Sequence, residues 1–320
     1  VGATMTMFPI FYAVIENDLR RVLSYSLINQ VGFMVTGIGI GTELAINGAV
    51  SHVFVHIVYK ALLFMSMGAV LFRTGKINGS DLGGLYKSMP LTTVLCIIGA
   101  ASISAFPLFS GFVAKSMVLT AALGEGYNGV WLALLFASAG VFHHSGIKIP
   151  FFAFFAHDSG IRCKEAPVNM LIAMGAAAFL CVALGVYPQP LYDILPFPVD
   201  YEPYTVPHVV NMLQLLLFSA LAFVFLRRAG LYPPELKSVN LDFDWFYRRF
   251  LNKLATEFAE LGSRTHSRVM TWMERLMKWF IAEVFRHHGP EGVLARTWPT
   301  GSTVLWVAVL LSLYLLVYFL

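Results

Sequence analysis

The sequence predicts an all-α fold, a polytopic transmembrane helix bundle, and three observations carry the prediction. Of its 320 residues 58% are hydrophobic and 12% charged, where an average soluble domain has about 25% charged. The apolar residues gather in runs close to the ~20 residues that cross a bilayer. The turns between runs alternate in charge. Arg20-Arg21, Arg73 to Lys87, Arg162 to Lys164 and Arg227 onward hold the loop Lys and Arg, and the turns near Glu43, Glu125 and Asp193 to Glu202 hold essentially none. That is the positive-inside pattern, with the basic turns cytoplasmic. The net charge of +4 is thus a topology signal, and without a basic and aromatic binding motif no nucleic-acid partner is expected.

In chain order, Val1 to Ile15 is apolar but short of a span, with neither an initiator Met nor a signal peptide before it. It is expected to be a helix cut partway, in a chain that is the C-terminal part of a longer one. Asn17 to Arg21 is a charged turn in which Asp18, Arg20 and Arg21 read as solvated. Runs follow from about Leu23 to Gly41 and from about Asn47 to Phe72. The basic loop after them turns at Asn78-Gly79; Asn78-Gly79-Ser80 also fits a glycosylation acceptor, but it falls on the cytoplasmic side. The run Leu91 to about Leu123 exceeds one span and holds Pro107 near its centre, flanked by Ser104, Ser110 and Gly111. Proline removes a backbone donor and obstructs the carbonyl four residues earlier, so a mid-membrane helix break is expected there. About Val130 to Ala156 is the next run, disturbed at Gly146 and Pro150. Runs at about Val168 to Val186, Pro207 to Leu226 and Thr303 to Leu320 complete the spans, with Trp298, Tyr314 and Tyr318 as interface anchors for the last.

The chain divides into a transmembrane core at 1–230, a polar section at 231–300 and a terminal span at 301–320. The section from Leu241 to Arg286 places Phe243, Phe246, Phe250, Leu254, Phe258 and Leu261, then Val269, Trp272, Leu276, Trp279 and Phe280, at helical spacing. Two amphipathic helices broken at Gly262-Ser263 are expected, lying on the membrane surface or along a neighbouring subunit.

The sharpest chemical signal is His52, His56 and Lys60. At 100° per residue their spacing keeps them within roughly an 80° arc over about 12 Å of helix. A charged side chain at the bilayer centre costs about 2.5 to 3.5 kcal/mol on insertion scales, and such residues usually face a protein interior or a water-filled path. Three protonatable groups on one face suit proton exchange; the alternative is that they hydrogen-bond neighbouring helices and hold the bundle together. Zinc is disfavoured, because the metalloprotease pattern needs Glu after the first His and Val53 stands there. Lys115, about two turns beyond the break, reads as a proton or cation site facing a half-channel, or as a lysine snorkelling to the nearer surface. His143 and His144 diverge by about 100° and make no natural metal pair. One of them, with Lys148, continues the polar path, or both satisfy backbone groups freed at Gly146 and Pro150. Cys96, Cys163 and Cys181 show no ligand spacing, so no disulfide framework, metal site or cofactor is expected. No carboxylate falls within the apolar spans.

Asp18 followed by Arg20-Arg21-Val22-Leu23-Ser24-Tyr25-Ser26-Leu27-Ile28-Asn29-Gln30-Val31-Gly32-Phe33 resembles a signature of the antiporter-like proton-translocating membrane subunits. Tyr59-Lys60-Ala61-Leu62-Leu63-Phe64 and Phe106-Pro107-Leu108-Phe109-Ser110-Gly111-Phe112-Val113-Ala114-Lys115 resemble two more, in the same order. The family includes subunits of Mrp-type cation/proton antiporters and the pumping subunits of respiratory complex I. The resemblance covers about Asp18 to Leu226, and the stretch Leu241 to Arg249 is more similar to the antiporter D subunit. It implies the second half of an inverted-repeat antiporter-like fold with a broken helix. In it His52, His56 and Lys60 match the central axis and Lys115 the broken-helix lysine, while the first half-channel, with its Glu and Lys pair, lies before Val1. It further implies a multi-pass protein of the bacterial cytoplasmic (inner) membrane, surrounded by lipid and by other antiporter-complex subunits, exchanging protons for monovalent cations (Na+ or K+). The rival is a proton-pumping subunit of a complex I-like or hydrogenase-type oxidoreductase whose redox centres belong to partners. A noncatalytic membrane scaffold is the third reading.

Overall fold

A computed structural model describes residues 1–232, 236, 240, 243–297 and 299–319. Among them helices form the regular structure, and six are long and apolar enough to cross a membrane. The chain is a multi-pass membrane protein. It divides into two compact units, Val1–Asn240 and Leu241–Leu320.

In the first unit α1 (Gly2–Ile15), α2 (Leu19–Ile40) and α3 (Glu43–Thr74) pack in sequence order. Each turn has its own stop and start chemistry. Asp18 caps α2 by accepting the Arg20 and Arg21 N–H groups at 2.8 and 3.2 Å. Gly41 (φ 82°) ends α2 in the left-handed conformation that glycine adopts without a Cβ penalty. Thr42 then caps α3. Close approach of α1 and α2 needs Gly2 and Gly32, where a Cβ would press into the backbone or Thr36 of the facing helix.

The long run after the basic loop is two half-helices, α4 (Pro90–Ile103) and α5 (Ser110–Gly124). Pro90 occupies the first turn of α4, where its missing N–H costs nothing. Between the halves Ala105 (φ 58°) and Leu108 (φ 74°) take left-handed conformations that non-glycine residues adopt only under constraint. The next span opens as α6 (Asn128–Val141) and continues through a π turn at Phe142–Ile147, one α turn at Lys148–Pro150 and a second π turn at Phe151–Phe155. The disturbance at Gly146 and Pro150 is thus absorbed by π-type turns, a usual form of helix irregularity at polar sites. Helices α7 (Val168–Val186) and α8 (Val206–Arg228) complete the unit. The core is drawn mainly from α3, α4, α5 and the facing sides of α2 and α7.

Charge separates the two ends of this unit. At one end the basic turns are tied together. Asn17 pairs with Ser80 through bonds of 3.0 and 3.1 Å, which docks the Asn78-Gly79-Ser80 turn against the start of α2. Arg73 donates to the Glu165 carbonyl, and the Glu165 carboxylate caps α4 through Leu91 N–H and the Thr92 hydroxyl. Asp158 receives a bidentate pair from Arg162 at 2.8 and 3.0 Å and a third bond from Lys87 at 2.8 Å. At the other end Glu43, Glu125, Asp200 and Asn47 line one cavity of about 470 Å³.

The Arg162 guanidinium, then Lys87 and the Gly160 N–H, hold the Asp158 carboxyl well below the usual carboxylate range. A depressed carboxyl contributes stability that is present above its unfolded pKa, about 3.9, and lost as pH falls through the folded value. Asp158→Asn is therefore expected to loosen the 75–89 and 156–167 turns by a margin that stays constant from about pH 5 to 9. Limited proteolysis of both proteins across that range checks it, and a margin that grows or shrinks within it refutes it.

The second unit consists of a π turn (Phe246–Phe250) leading into α9 (Leu251–His288), followed by α10 (Thr300–Phe319). The expected break at Gly262-Ser263 does not occur: α9 is continuous through both. A single helical glycine costs about 1 kcal/mol relative to alanine, too little to stop a helix of this length. Arg264 and Glu260 form an i,i+4 pair at 3.4 Å across it. Along α9 the apolar stripe from Phe258 through Trp272 to Phe280 is exposed. The expected interface anchor Trp298, together with Leu241, Asp242 and Leu320, lies outside the described residues.

Candidate functional site

The polar interior begins on α3. His52, His56 and Lys60 are 0, 7 and 4% exposed, so the four-residue spacing puts all three on a buried face. That face meets α2, which offers polar side chains at matching spacing: Ser26, Asn29 and Gln30 are buried too. His52 Nε2 and the Tyr59 hydroxyl both lie 3.1 Å from Gln30 Oε1. Gln30 donates on to Asn29, which donates to the Thr6 carbonyl of α1. The His52 and His56 rings lie 6.2 Å apart and nearly parallel.

Lys60 Nζ donates to Ser26 Oγ at 2.8 Å and to the Leu23 carbonyl at 3.2 Å. Ser26 Oγ also accepts from Ser145 Oγ at 2.9 Å, and Ser145 lies 2.9 Å from His144 Nδ1. A single run of hydrogen bonds, Lys60–Ser26–Ser145–His144, therefore crosses from α3 through α2 to the first π turn. His143 points elsewhere, half-buried between the rings of Phe223 and Tyr232 at 5.5 and 5.4 Å. Lys148 is fully buried and donates to the carbonyls of Val14 and Glu16 at 2.6 and 2.7 Å, at the end of α1.

Lys115 stands at the helix break. Its Nζ donates to the Ile103 carbonyl at 3.1 Å, at the C-terminal end of α4, where exposed carbonyls carry partial negative charge. It also sits 5.0 Å from the centre of the Phe33 ring, within cation–π range. The centre of the same ring lies 6.0 Å from that of the His52 ring. Phe33 thus neighbours both Lys115 and His52, and no direct hydrogen bond joins Lys115 to the α3 histidines among the described residues. The break is held by the Ser102–Ser110 hydroxyl pair at 2.8 Å and by backbone contact at Gly111 and Gly185. His52 Nδ1, His56 Nε2 and His144 Nε2 are buried and have no protein partner; buried nitrogens of this kind are ordinarily satisfied by ordered water.

Four participants were not singled out from the sequence. Ser26 and Ser145 join Lys60 to His144, and Gln30 joins His52 to Tyr59. Their signal is weak: small hydroxyl and amide side chains in an apolar run, with Ser26 and Gln30 at i,i+4. The fourth is Glu16, just past the end of α1 and 4% exposed. It lies outside the apolar runs, which is why scanning the spans for carboxylates passes over it. Among the described residues no three His, Cys, Asp or Glu side chains converge to hold a metal ion.

Fold and site together define a polytopic membrane protein whose apolar bundle encloses a basic, hydrogen-bonded interior. Residues 1–143 match the family described as NADH:quinone oxidoreductase/Mrp antiporter, TM, so this part of the chain is similar to that family. The D subunit of the Na(+)/H(+) antiporter of Alkalihalophilus pseudofirmus is 35% identical over 198 residues, covering 60% of this chain and 39% of that protein. NADH-ubiquinone oxidoreductase chain 5 of Dictyostelium citrinum is 28% identical over 276 residues, covering 80% of this chain and 40% of that protein. The chain thus spans about two fifths of the length of these relatives. Two solved structures share the fold at 22% identity. The Mrp complex from a Dietzia species gives a TM-score of 0.55 over 60% of this chain and 44% of that one. An archaeal membrane-bound sulfane sulfur reductase gives 0.59 over 98% of this chain and 55% of that one.

Proposed function

We propose that this chain is part of a D-type subunit of a multisubunit monovalent-cation/proton antiporter in a bacterial cytoplasmic membrane. Protons pass among Lys115, the α3 histidines, Lys60 and His144, with Lys148 and His143 bordering the route and the break at Pro107 and Gly111 opening it toward one face. The observation that carries the reading is the unbroken Lys60–Ser26–Ser145–His144 run inside an apolar core. Chains of this kind are what protonatable residues inside membranes usually serve. Other membrane subunits of the complex are the partners. The exposed apolar stripe of α9 lies on the cytoplasmic membrane surface or along such a neighbour.

A second reading has its own support. The chain 5 relative and the sulfane sulfur reductase match 80% and 98% of the chain, the antiporter D subunit 60%. In that reading the same path is driven by redox chemistry in partner subunits.

Inverted vesicles carrying the full-length complex separate the two. Addition of Na+ or K+ after respiration is expected to dequench a pH-sensitive dye in wild type and not in Lys115→Ala. Proton pumping that answers to electron donors and ignores cations replaces antiport by the second reading. In the same assay Ser26→Ala is expected to slow proton movement about tenfold, the worth of one hydrogen bond of ~1.4 kcal/mol. Ser26→Thr, which keeps the hydroxyl, stays near the wild-type rate. Equal rates for all three would remove Ser26 from the route.

A further inference from the structure

Among the described residues Glu16 is the one buried acidic side chain, in a unit whose buried basic side chains are Lys60, Lys115, Lys148 and the histidines His52, His56 and His144. It sits at the C-cap of α1, and two features fix it. Its Oε1 accepts the Asn17 and Asp18 N–H groups at 2.9 and 3.1 Å, which holds the carboxyl in the turn. Its own carbonyl accepts from Lys148 Nζ, which also ties down the Val14 carbonyl at the end of α1. Its second oxygen, Oε2, is turned toward Asn240 Nδ2 at 3.5 Å. Its hydrogen bonds bring two charged residues to it, Lys148 from the span that α6 opens and Asp18 from the start of α2.

Lys148 follows His144 by four residues, just past the first π turn, and reaches the end of α1 through its bonds to the Val14 and Glu16 carbonyls. The span that carries His144 and Ser145, the last members of the Lys60–Ser26–Ser145–His144 run, therefore also carries the lysine that holds the Glu16 turn. The turn that carries Glu16 is bonded to the 77–80 loop, at the end where the basic turns gather.

We propose that Glu16 is the proton-exchange residue at this end of the path, with Lys148 as its positioning residue; the proposal rests on the proton-conducting reading given above. In each turnover Glu16 Oε2 takes a proton from hydronium on the basic-turn side, leaving water. It then gives the same proton to water or imidazole on the His144 side and returns to carboxylate. Transport in the other sense reverses both steps.

The test uses the full-length complex in inverted vesicles, driven separately by cation addition and by electron donors. Glu16→Gln keeps an oxygen to accept the Asn17 and Asp18 N–H groups, and is expected to assemble normally while losing proton flux on the order of tenfold or more. Glu16→Ala is expected to recover part of its flux when formate is supplied as a diffusible acid, a rescue that a purely structural carboxyl would not show. Glu16→Gln at the wild-type rate, beside a silent Lys60→Ala, overturns the assignment and leaves the path intact. Flux that follows electron donors alone and falls in Glu16→Gln keeps Glu16 and discards antiport. A wild type silent under both drives overturns both.

Discussion

Lys60→Met is expected to lower proton movement on the order of 100-fold or more, the usual worth of a positioned proton-transfer group, while the complex assembles at its wild-type level. The two halves of that expectation come from the same contacts. Lys60 meets Ser26 Oγ and the Leu23 carbonyl, neutral oxygens with no carboxylate in the set. Removing it strands no counter-charge, and exchanging a buried charged group for an apolar one of similar volume is often neutral or stabilising. Methionine keeps most of the stem volume, so little cavity opens. Lys60→Arg sharpens the argument. Guanidinium keeps the charge and donates hydrogen bonds but does not release its proton in proteins, so a lysine that exchanges protons cannot be replaced by it, whereas a lysine that supplies fixed charge can. Dye dequenching in inverted vesicles, with assembly followed on native gels, checks all three. Wild-type flux in Lys60→Met ends the assignment of this residue.

Gly111→Val is expected to abolish assembly. A Cβ at Gly111 would overlap the Ser102 carbonyl oxygen and crowd the Ala105 backbone. These are main-chain atoms of the last turn of α4 and of the unwound segment after it, so no rotamer change relieves the overlap. Overpacking in a core costs about 1 to 3 kcal/mol where side chains can shift; with backbone on the other side the loss should reach several kcal/mol, a large share of a typical net stability of about 5 to 15. Gly175→Ala, where a Cβ meets nothing within 4 Å, is the matched control and should be silent. Yield and melting temperature of the purified complex decide it. A folded Gly111→Val protein with wild-type melting would mean that the half-helices join differently.

Much of the fold is readable from residue patterns because a bilayer leaves few options. Apolar runs of span length, separated by turns of alternating charge, specify the helices and their order. The His52, His56 and Lys60 ladder is readable because ionisable side chains are costly in an apolar run. Pro107 is readable because its ring has no place inside an uninterrupted helix. The rest depends on tertiary placement. Ser26 and Ser145 look like ordinary small residues until two helices bring their hydroxyls within 2.9 Å. Whether His143 or His144 turns inward depends on the helical phase at that point, and the π turn sets that phase. Glu16 looks like a solvated turn residue until the start of α2 closes over its carboxyl. The continuity of α9 shows the opposite error, in which a helix-weakening residue is given more authority than its ~1 kcal/mol warrants.

The π turn at Phe142–Ile147 also makes this span sensitive to length in a way that the other helices are not. A π turn accommodates one residue more than the α-helix around it. Deleting a single residue there would let the stretch relax into plain α-helix without breaking it, leaving hydropathy and span nearly unchanged. Residues on either side would keep both their place along the axis and their phase, because the wide turn had already absorbed the extra residue. The change would fall inside the turn, where His144 and Ser145 could no longer both hold their present directions. The fold would therefore bear a deletion there that the hydrogen-bonded run would not, whereas a deletion in a plain α-helical stretch would rotate everything after it by about 100°.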